Sequence, residues 1–270
     1  MSEDFFYLDE GKIKITAASV GIGSKRWTSI KESEITEENY KCKMIENRFD
    51  ILPIISNKKT IKEFFKTIEN NNYENIQRLK ISYKDILHLE TPVREVIKGF
   101  VVEKKSFYFL TYQNKISGLI TIGNLNCRQV QVYIFGLICE LERKLGDFID
   151  KNLEKHLLEK YIREKSKTNE KLAKIWEHYQ DLVKLDLENN LIEHIYLIDF
   201  FNIICDNDLN FLLEYSKKEW KSLSSINDLR HQIAHPNRSL LDKKNTIERL
   251  WIRIEKIEDL TFRINQLNIK

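Results

Sequence analysis

The chain is poor in the residues that punctuate turns. It has eight glycines and three prolines in 270 residues, about a third of the ~12% that these two types together average in soluble proteins. An all-β architecture with many tight turns is thereby excluded, and a mostly helical protein with any sheet confined to a small region is expected. Cysteine is scarce too. Cys42, Cys127, Cys139 and Cys205 form no C-x-x-C pair, which excludes a zinc ribbon or a thioredoxin-like site and predicts reduced, buried thiols in a cytoplasmic protein. An excess of one charge is also missing, because 44 Lys plus Arg stand against 41 Asp plus Glu, a formal net charge of +3. That rules out a polycationic nucleic-acid coat. No apolar run reaches the ~18 to 20 residues that span a bilayer. The longest candidates, around residues 132–139 and 191–205, are interrupted by Gly136 or by His194, Asp199 and Asn202. The first residues turn acidic at Glu3 and Asp4 and show no basic segment leading into an apolar one, so neither a signal peptide nor a membrane partner is expected.

What is present suffices to build cores: 42% of the residues are hydrophobic and 31% charged, and the length fits roughly two domains. The hydrophobic period changes near Asn126. Before it, residues 50–56 read as a short apolar strand, and residues 106–112 and 116–122 read as a hairpin rich in aromatic and β-branched side chains. Helical patterns are expected at residues 60–69 and from Val93, with Pro92 in the first turn and Thr91 as its cap. Residues 12–20 suggest a strand, and Gly21-Ile22-Gly23, lacking any further phosphate-loop residues, reads as a turn. After Asn126 everything reads helical. Val130, Ile134, Leu137, Leu141, Leu145 and Phe148 recur at steps of three and four, the stripe of a long core-facing helix. Further helices are expected at residues 171–187, 191–205, 211–215 and from Asn245, giving a bundle of four or five members. The fold class is therefore α+β, with an unassigned segment 1–24, a mixed α/β region 25–127 and an all-α region 128–270.

The densest run of reactive side chains is Ser224-Ser225-Ile226-Asn227-Asp228-Leu229-Arg230-His231-Gln232-Ile233-Ala234-His235-Pro236. It reads as a short helix capped by Ser224 or Ser225 and closed before Pro236, with His235 at the negative end of the helix dipole. An arginine and a histidine suit cleavage of RNA by attack of its own 2′-hydroxyl: the imidazole moves the proton and the guanidinium holds the charge that grows on the phosphorane. Neither a cofactor nor a metal is needed for that chemistry. Arg230 and His235 lie five residues apart, about 140° around an ideal helix, so they share no face unless the last turn distorts or a second copy contributes. A zinc reading of His231 and His235 fails because position 232 is Gln, where H-E-x-x-H needs Glu, and because Arg230 adds a positive charge. A bland alternative stays open, in which the motif is a hydrogen-bonded helix end. His88, His156, His178 and His194 show no partner pattern and read as ordinary surface or core histidines. Residues 151–174 hold eight Lys or Arg against four Asp or Glu, a solvated basic face that, with Arg238, would help hold RNA phosphates.

The run from Asn227 to Pro236, with its Arg-x4-His spacing and His231 as the polar residue after Arg230, resembles the signature of the HEPN superfamily. The apolar segment 191–205 and Trp220 are similar to that family's arrangement too. The resemblance covers about residues 128–270. It implies a homodimer whose paired motifs form a metal-independent endoribonuclease, in a toxin or phage-defence setting with an antitoxin as a partner. Arg230 and His235 are then catalytic, and His231 assists. It equally admits a non-catalytic module that binds or assembles. The mixed region resembles a degenerate pair of CBS domains, the fold first defined in cystathionine β-synthase. Residues 47–54 look like the helix-to-strand step of one copy, and residues 91–97 through 118–125 like most of a second. That resemblance implies an adenine nucleotide as ligand, with Thr121 at its phosphate and Asn124 where the family has an aspartate for the ribose; an amide there is an uncharged, weaker acceptor.

Overall fold

The computed structural model describes residues 7–9, 12–69, 72–187, 190–235 and 237–267. The chain divides into two compact units, Met1–Val130 and Gln131–Lys270.

In the first unit, β1 (Tyr7–Asp9) pairs antiparallel with β2 (Lys12–Lys14), and the chain then enters a short helix α1 (Ala17–Val20). The single strand expected over residues 12–20 is thus divided. The backbone N–H groups of Ala17 and Ala18 are taken by the carbonyls of Thr91 and Leu89, at 2.8 and 2.9 Å, so long-range hydrogen bonds fix this helix. Next come β3 (Ile22–Gly23), β4 (Ile30–Lys31), α2 (Glu37–Asn47), β5 (Ile51–Ile55), β6 (Ile61–Thr67), β7 (Ile76–Lys80), β8 (Ile86–His88), α3 (Val93–Val102), β9 (Phe107–Tyr112) and β10 (Lys115–Thr121). Gly21-Ile22-Gly23 is consequently a strand edge instead of a plain turn, with Ile22 paired to Leu119 and Gly23 to Gly118.

Besides the two-stranded β1-β2 sheet, two four-stranded sheets result, in the orders β3-β10-β9-β8 and β4-β5-β6-β7. In each, a helix joins two parallel strands, β4-α2-β5 and β8-α3-β9, and an antiparallel strand, β6 or β10, follows. The unit is therefore a twofold repeat of one β-α-β-β motif. A parallel pair needs a crossover, and α2 and α3 supply it. α3 buries Val93, Val96, Ile97 and Phe100 on one side; its cap residue is Pro92, one place later than Thr91. The segment expected to be helical at residues 60–69 is β6. Phe64 packs with Ile51, Phe107, Phe109 and Leu119, while Phe65 packs in a separate cluster with Ile30, Met44, Leu52 and Ile54. Adjacent side chains pointing into different cores are what a strand buried on both faces produces.

Gly118 sits where β10 passes closest to β3. A Cβ there would lie 2.8 Å from the Ile22 carbonyl oxygen, a backbone atom that cannot swing aside. Gly118→Ala is expected to destabilise the first unit by about 1–3 kcal/mol, read as a lower denaturant midpoint; an unchanged midpoint would contradict this packing.

The second unit is helical: α4 (Arg128–Asn152), α5 (Lys155–Ser166), α6 (Glu170–Lys184), a 3-10 turn Leu191–His194, α7 (Leu197–Asp206), a 3-10 turn Leu209–Phe211, α8 (Lys217–Ser222), α9 (Ser225–Ile233) and α10 (Ile247–Leu267). The expected stripe of α4 is buried at Ile134, Leu141, Leu145 and Phe148, and Ile138 and Ile149 join it. The helix expected over residues 191–205 breaks at Ile195-Tyr196, both extended at the cap positions. The one expected at 211–215 does not form: a 3-10 turn covers Leu209–Phe211, and residues 212–215 are turn and irregular backbone. The cysteines are free thiols, but Cys42 and Cys139 are exposed and Cys127 and Cys205 partly so, which corrects the expectation of burial. No helix among the described residues is long and apolar enough to cross a membrane.

Candidate functional site

Helix α9 carries the Arg-His motif and owes its orientation to three apolar residues. Ile226, Leu229 and Ile233 fall at steps of three and four and are buried, so Asn227 and His231 are turned the other way and Arg230, partly buried, lies at the flank of the apolar face. The helix start differs from the serine cap that the sequence suggests. Ser224 already has helical backbone angles, and its hydroxyl donates to the Lys221 carbonyl at 2.9 Å, because α8 runs almost directly into α9. At the other end the Ala234 N–H donates to the Arg230 carbonyl. His235 is therefore two residues beyond the last helical residue, with the intervening Ala234 still in the right-handed helical region.

Gln232 anchors the loop beyond α9. Its amide nitrogen donates to the carbonyls of both Ser239 and Leu240, each at 2.8 Å, and the Gln131 amide donates to the Arg238 carbonyl at 3.1 Å. The segment bearing His235 and Arg238 is thus tied back onto α9 and α4. A glutamate at 232 would accept hydrogen bonds only and could not make these contacts.

Arg230 and His231 open onto a cleft of about 820 Å3. α6 contributes Lys171, Lys174 and His178 to its wall, at steps of three and four along one face; His194 comes from the 3-10 turn, and α7 adds Asp199 and Asn202. The imidazoles of His178 and His194 meet edge to face with centroids 5.1 Å apart. Arg230 Nε lies 3.6 Å from Glu142 Oε1 on α4. Burial pushes the Glu142 carboxyl up, and the Arg230 guanidinium pulls it part of the way back. The cleft is mixed in charge: Lys171, Lys174 and Arg230 stand against Glu193 and the buried Asp199 in its lining, and the half-buried Glu142 lies behind Arg230. His235 and Arg238 are exposed and are not among the residues that line this cleft. The structure brings Arg230 and His231 together; within one chain it does not add His235 to them.

Asp199 was not legible as a site residue. Burial pushes its carboxyl above the usual carboxylate range, and the Lys171 ammonium counters this only in part. A carboxyl whose folded value exceeds its unfolded one holds more protons folded than unfolded between the two, so stability falls as pH rises through that window. Asp199→Asn is accordingly expected to raise the melting temperature near neutral pH and to give no gain below about pH 3, where both states are protonated. A lower melting temperature at neutral pH would show that the ionised carboxylate is a net stabiliser.

In the first unit, Thr121 and Asn124 face one another. The Thr121 hydroxyl and backbone N–H both donate to the Asn124 side-chain oxygen, at 2.9 and 2.8 Å, closing the turn at the end of β10.

No protein-family model matches the chain, and no curated protein does. Among solved structures, the amino-terminal part is similar to the CBS domains of a transcriptional regulator from Streptococcus pneumoniae, at 15% identity over 40% of this chain and 92% of that one, with a TM-score of 0.32. It is also similar to a hemolysin-like protein containing a CBS domain from Oenococcus oeni, at 12% identity over 42% of this chain and 88% of that one, TM-score 0.32. A third similar structure is a CBS-domain pair solved in complex with 5′-methylthioadenosine and S-adenosyl-L-methionine, at 15% identity over 41% of this chain and 96% of that one, TM-score 0.31.

Proposed function

We propose that the chain is a metal-independent endoribonuclease of HEPN type, acting as a cytoplasmic homodimer in a toxin or phage-defence setting, with a CBS-like amino-terminal module that regulates it through an adenine nucleotide at Thr121 and Asn124. The observation that carries the reading is the placement of Arg230 and His231 on a cleft that also presents Lys171 and Lys174, with His235 just past the same helix in a loop that Gln232 ties back at Ser239 and Leu240. In this mechanism the His235 imidazole takes the proton of an RNA 2′-hydroxyl as the O2′–P bond forms. The P–O5′ bond then breaks, and the 5′ oxygen leaves with a proton returned from an imidazolium. Arg230 binds the non-bridging oxygens of the phosphorane, and His231 positions the phosphate. Two α9 helices related by a twofold axis would supply His235 of one protomer to the Arg230 of its partner.

Lys171 and Lys174 at the cleft, and the exposed Lys155, Lys160 and Arg163 of α5 with Arg238, would bind the RNA backbone without regard to sequence, so attachment weakens steeply with salt. The test is a comparison of the purified chain with His235→Ala, each incubated with single-stranded RNA in excess chelator. The wild type is expected to cleave and the variant to be slower by at least about 100-fold. Equal rates would remove His235 from the mechanism. No cleavage by either would leave the non-catalytic alternative, an assembly or nucleotide-binding module.

A further inference from the structure

Helix α7 presents three polar side chains to the cleft beside Arg230 that the proposed reaction does not use. Tyr196, Asp199 and Asn202 recur at steps of three and all line it, while Leu197, Phe200, Phe201, Ile203 and Ile204 of the same helix are buried. Tyr196 is the cap residue, and its ring, 49% exposed, makes no aromatic or cation contact among the described residues. Asn202 is exposed, and its side-chain amide has no hydrogen-bond partner among them.

Asp199 stands apart from the other two. It is 7% exposed, yet its carboxyl makes no hydrogen bond and no ion pair among the described residues, and the one charge that counters its burial is the Lys171 ammonium. A carboxyl so placed has lost most of its water without gaining a protein donor, which costs the fold stability. Its oxygens are not sealed in, as the orphaned Asn210 Oδ1 is, so a ligand in the cleft can reach them. The first-turn position in α7 adds the positive end of a helix dipole, which favours the anion, an acceptor with two oxygens. What it lacks is a pair of N–H donors.

Among the RNA bases, guanine alone sets two N–H donors side by side, N1–H and the exocyclic N2–H. Adenine and cytosine offer an amino group beside a ring acceptor that a carboxylate repels, and the N3–H of uracil lies between two carbonyls. We propose that the α7 side of this cleft holds an unpaired guanine of the RNA, with Asp199 accepting from N1–H and N2–H, Asn202 donating to O6 and the Tyr196 ring stacked on the base. The cleft, at about 820 Å3, has room for a base beside the phosphate at Arg230 and His231. This makes α7 the specificity wall of the proposed ribonuclease and rests on that reading, although the binding of the base does not require cleavage.

The experiment uses the full chain and short oligouridylates with a central guanosine, inosine or adenosine. Each is made with every 2′-hydroxyl methylated, so that only binding is read, and again as all-ribose RNA. Inosine is guanosine without the 2-amino group. By fluorescence anisotropy the guanosine oligonucleotide is expected to bind at least about tenfold more tightly than the inosine one, and adenosine no better than inosine. Asp199→Asn is expected to bind guanosine no better than inosine, with a melting temperature that is not lowered. Tyr196→Ala, at an exposed position, is expected to weaken guanosine and inosine alike by about tenfold, because stacking does not read the amino group. All-ribose RNA is expected to be cut next to guanosine. A guanosine preference that Asp199→Asn abolishes, without any cleavage, would support the base site and remove the ribonuclease reading; cleavage with equal binding of guanosine, inosine and adenosine would do the reverse. A guanosine preference that persists in Asp199→Asn, or no binding of any of these oligonucleotides, would overturn the proposal.

Discussion

Replacing Trp220 with alanine is expected to destabilise the helical unit by about 3–5 kcal/mol, a large share of the stability of a domain this size. The indole is 2% exposed. Its N–H donates to the Phe201 carbonyl at 2.8 Å, and its rings meet Phe201 and Tyr215 edge to face at 5.6 and 5.7 Å. Tyr215 continues the chain of contacts: its hydroxyl donates to Asp259 Oδ2 at 2.6 Å, and the Arg263 guanidinium lies 4.5 Å above its ring. Trp220 therefore joins α8 to α7 and, through Tyr215, to α10. Because α8 leads almost without interruption into α9, the same contact sets where Arg230 points. Alanine would leave a cavity, an orphaned carbonyl and two aromatic rings without their partner. Trp220→Phe keeps most of the volume and loses the hydrogen bond, so about 1–2 kcal/mol is expected. Denaturant unfolding followed by helix circular dichroism measures both, and equal midpoints for alanine and wild type would refute the clamp.

The second large effect concerns Arg230. Arg230→Ala is expected to slow RNA cleavage by about 100- to 1,000-fold, the usual consequence of removing a group that stabilises the charge of a transition state. Stability should change little, because the side chain is partly exposed and its Glu142 contact is long, at 3.6 Å. Arg230→Lys keeps the charge but loses the planar fork that binds two phosphate oxygens, so it should recover only part of the rate. Initial rates in chelator, with the melting temperature of each variant as a control, make the comparison. Wild-type cleavage by Arg230→Ala would take the guanidinium out of the reaction.

How much of this was legible in the sequence depended on whether the signal was local. The stripe of α4 and the β9-β10 hairpin were readable because their periods, near 3.6 and 2, are unmixed over many residues. β6 carries a helix-like pattern for a physical reason: Ile61, Phe64 and Phe65 have helical spacing, yet Phe64 and Phe65 serve two cores on opposite faces of one strand. The β-α-β-β repeat was legible only in outline, at residues 47–54 and 91–125, because equivalent positions of the two copies need only be apolar. Similarly, the break at Ile195-Tyr196 lies inside a continuous apolar run and has no glycine or proline to mark it. At the site, α9 and its end near Pro236 were visible from local chemistry. The cleft was not, because Lys171, His178, His194 and Asp199 come from three segments that only tertiary packing brings beside Arg230. Gln232 could have been found: a long amide next to two histidines, before a loop with backbone groups to satisfy, has donors to offer.

The most direct measurement is the chemistry of the RNA ends left by the wild-type chain in the presence of chelator. Attack by the 2′-hydroxyl predicts 2′,3′-cyclic phosphate on one fragment and a free 5′-hydroxyl on the other, with both absent when His235→Ala replaces the wild type. Fragments ending in 3′-hydroxyl and 5′-phosphate, or cleavage that vanishes with chelator, would contradict the proposed reaction.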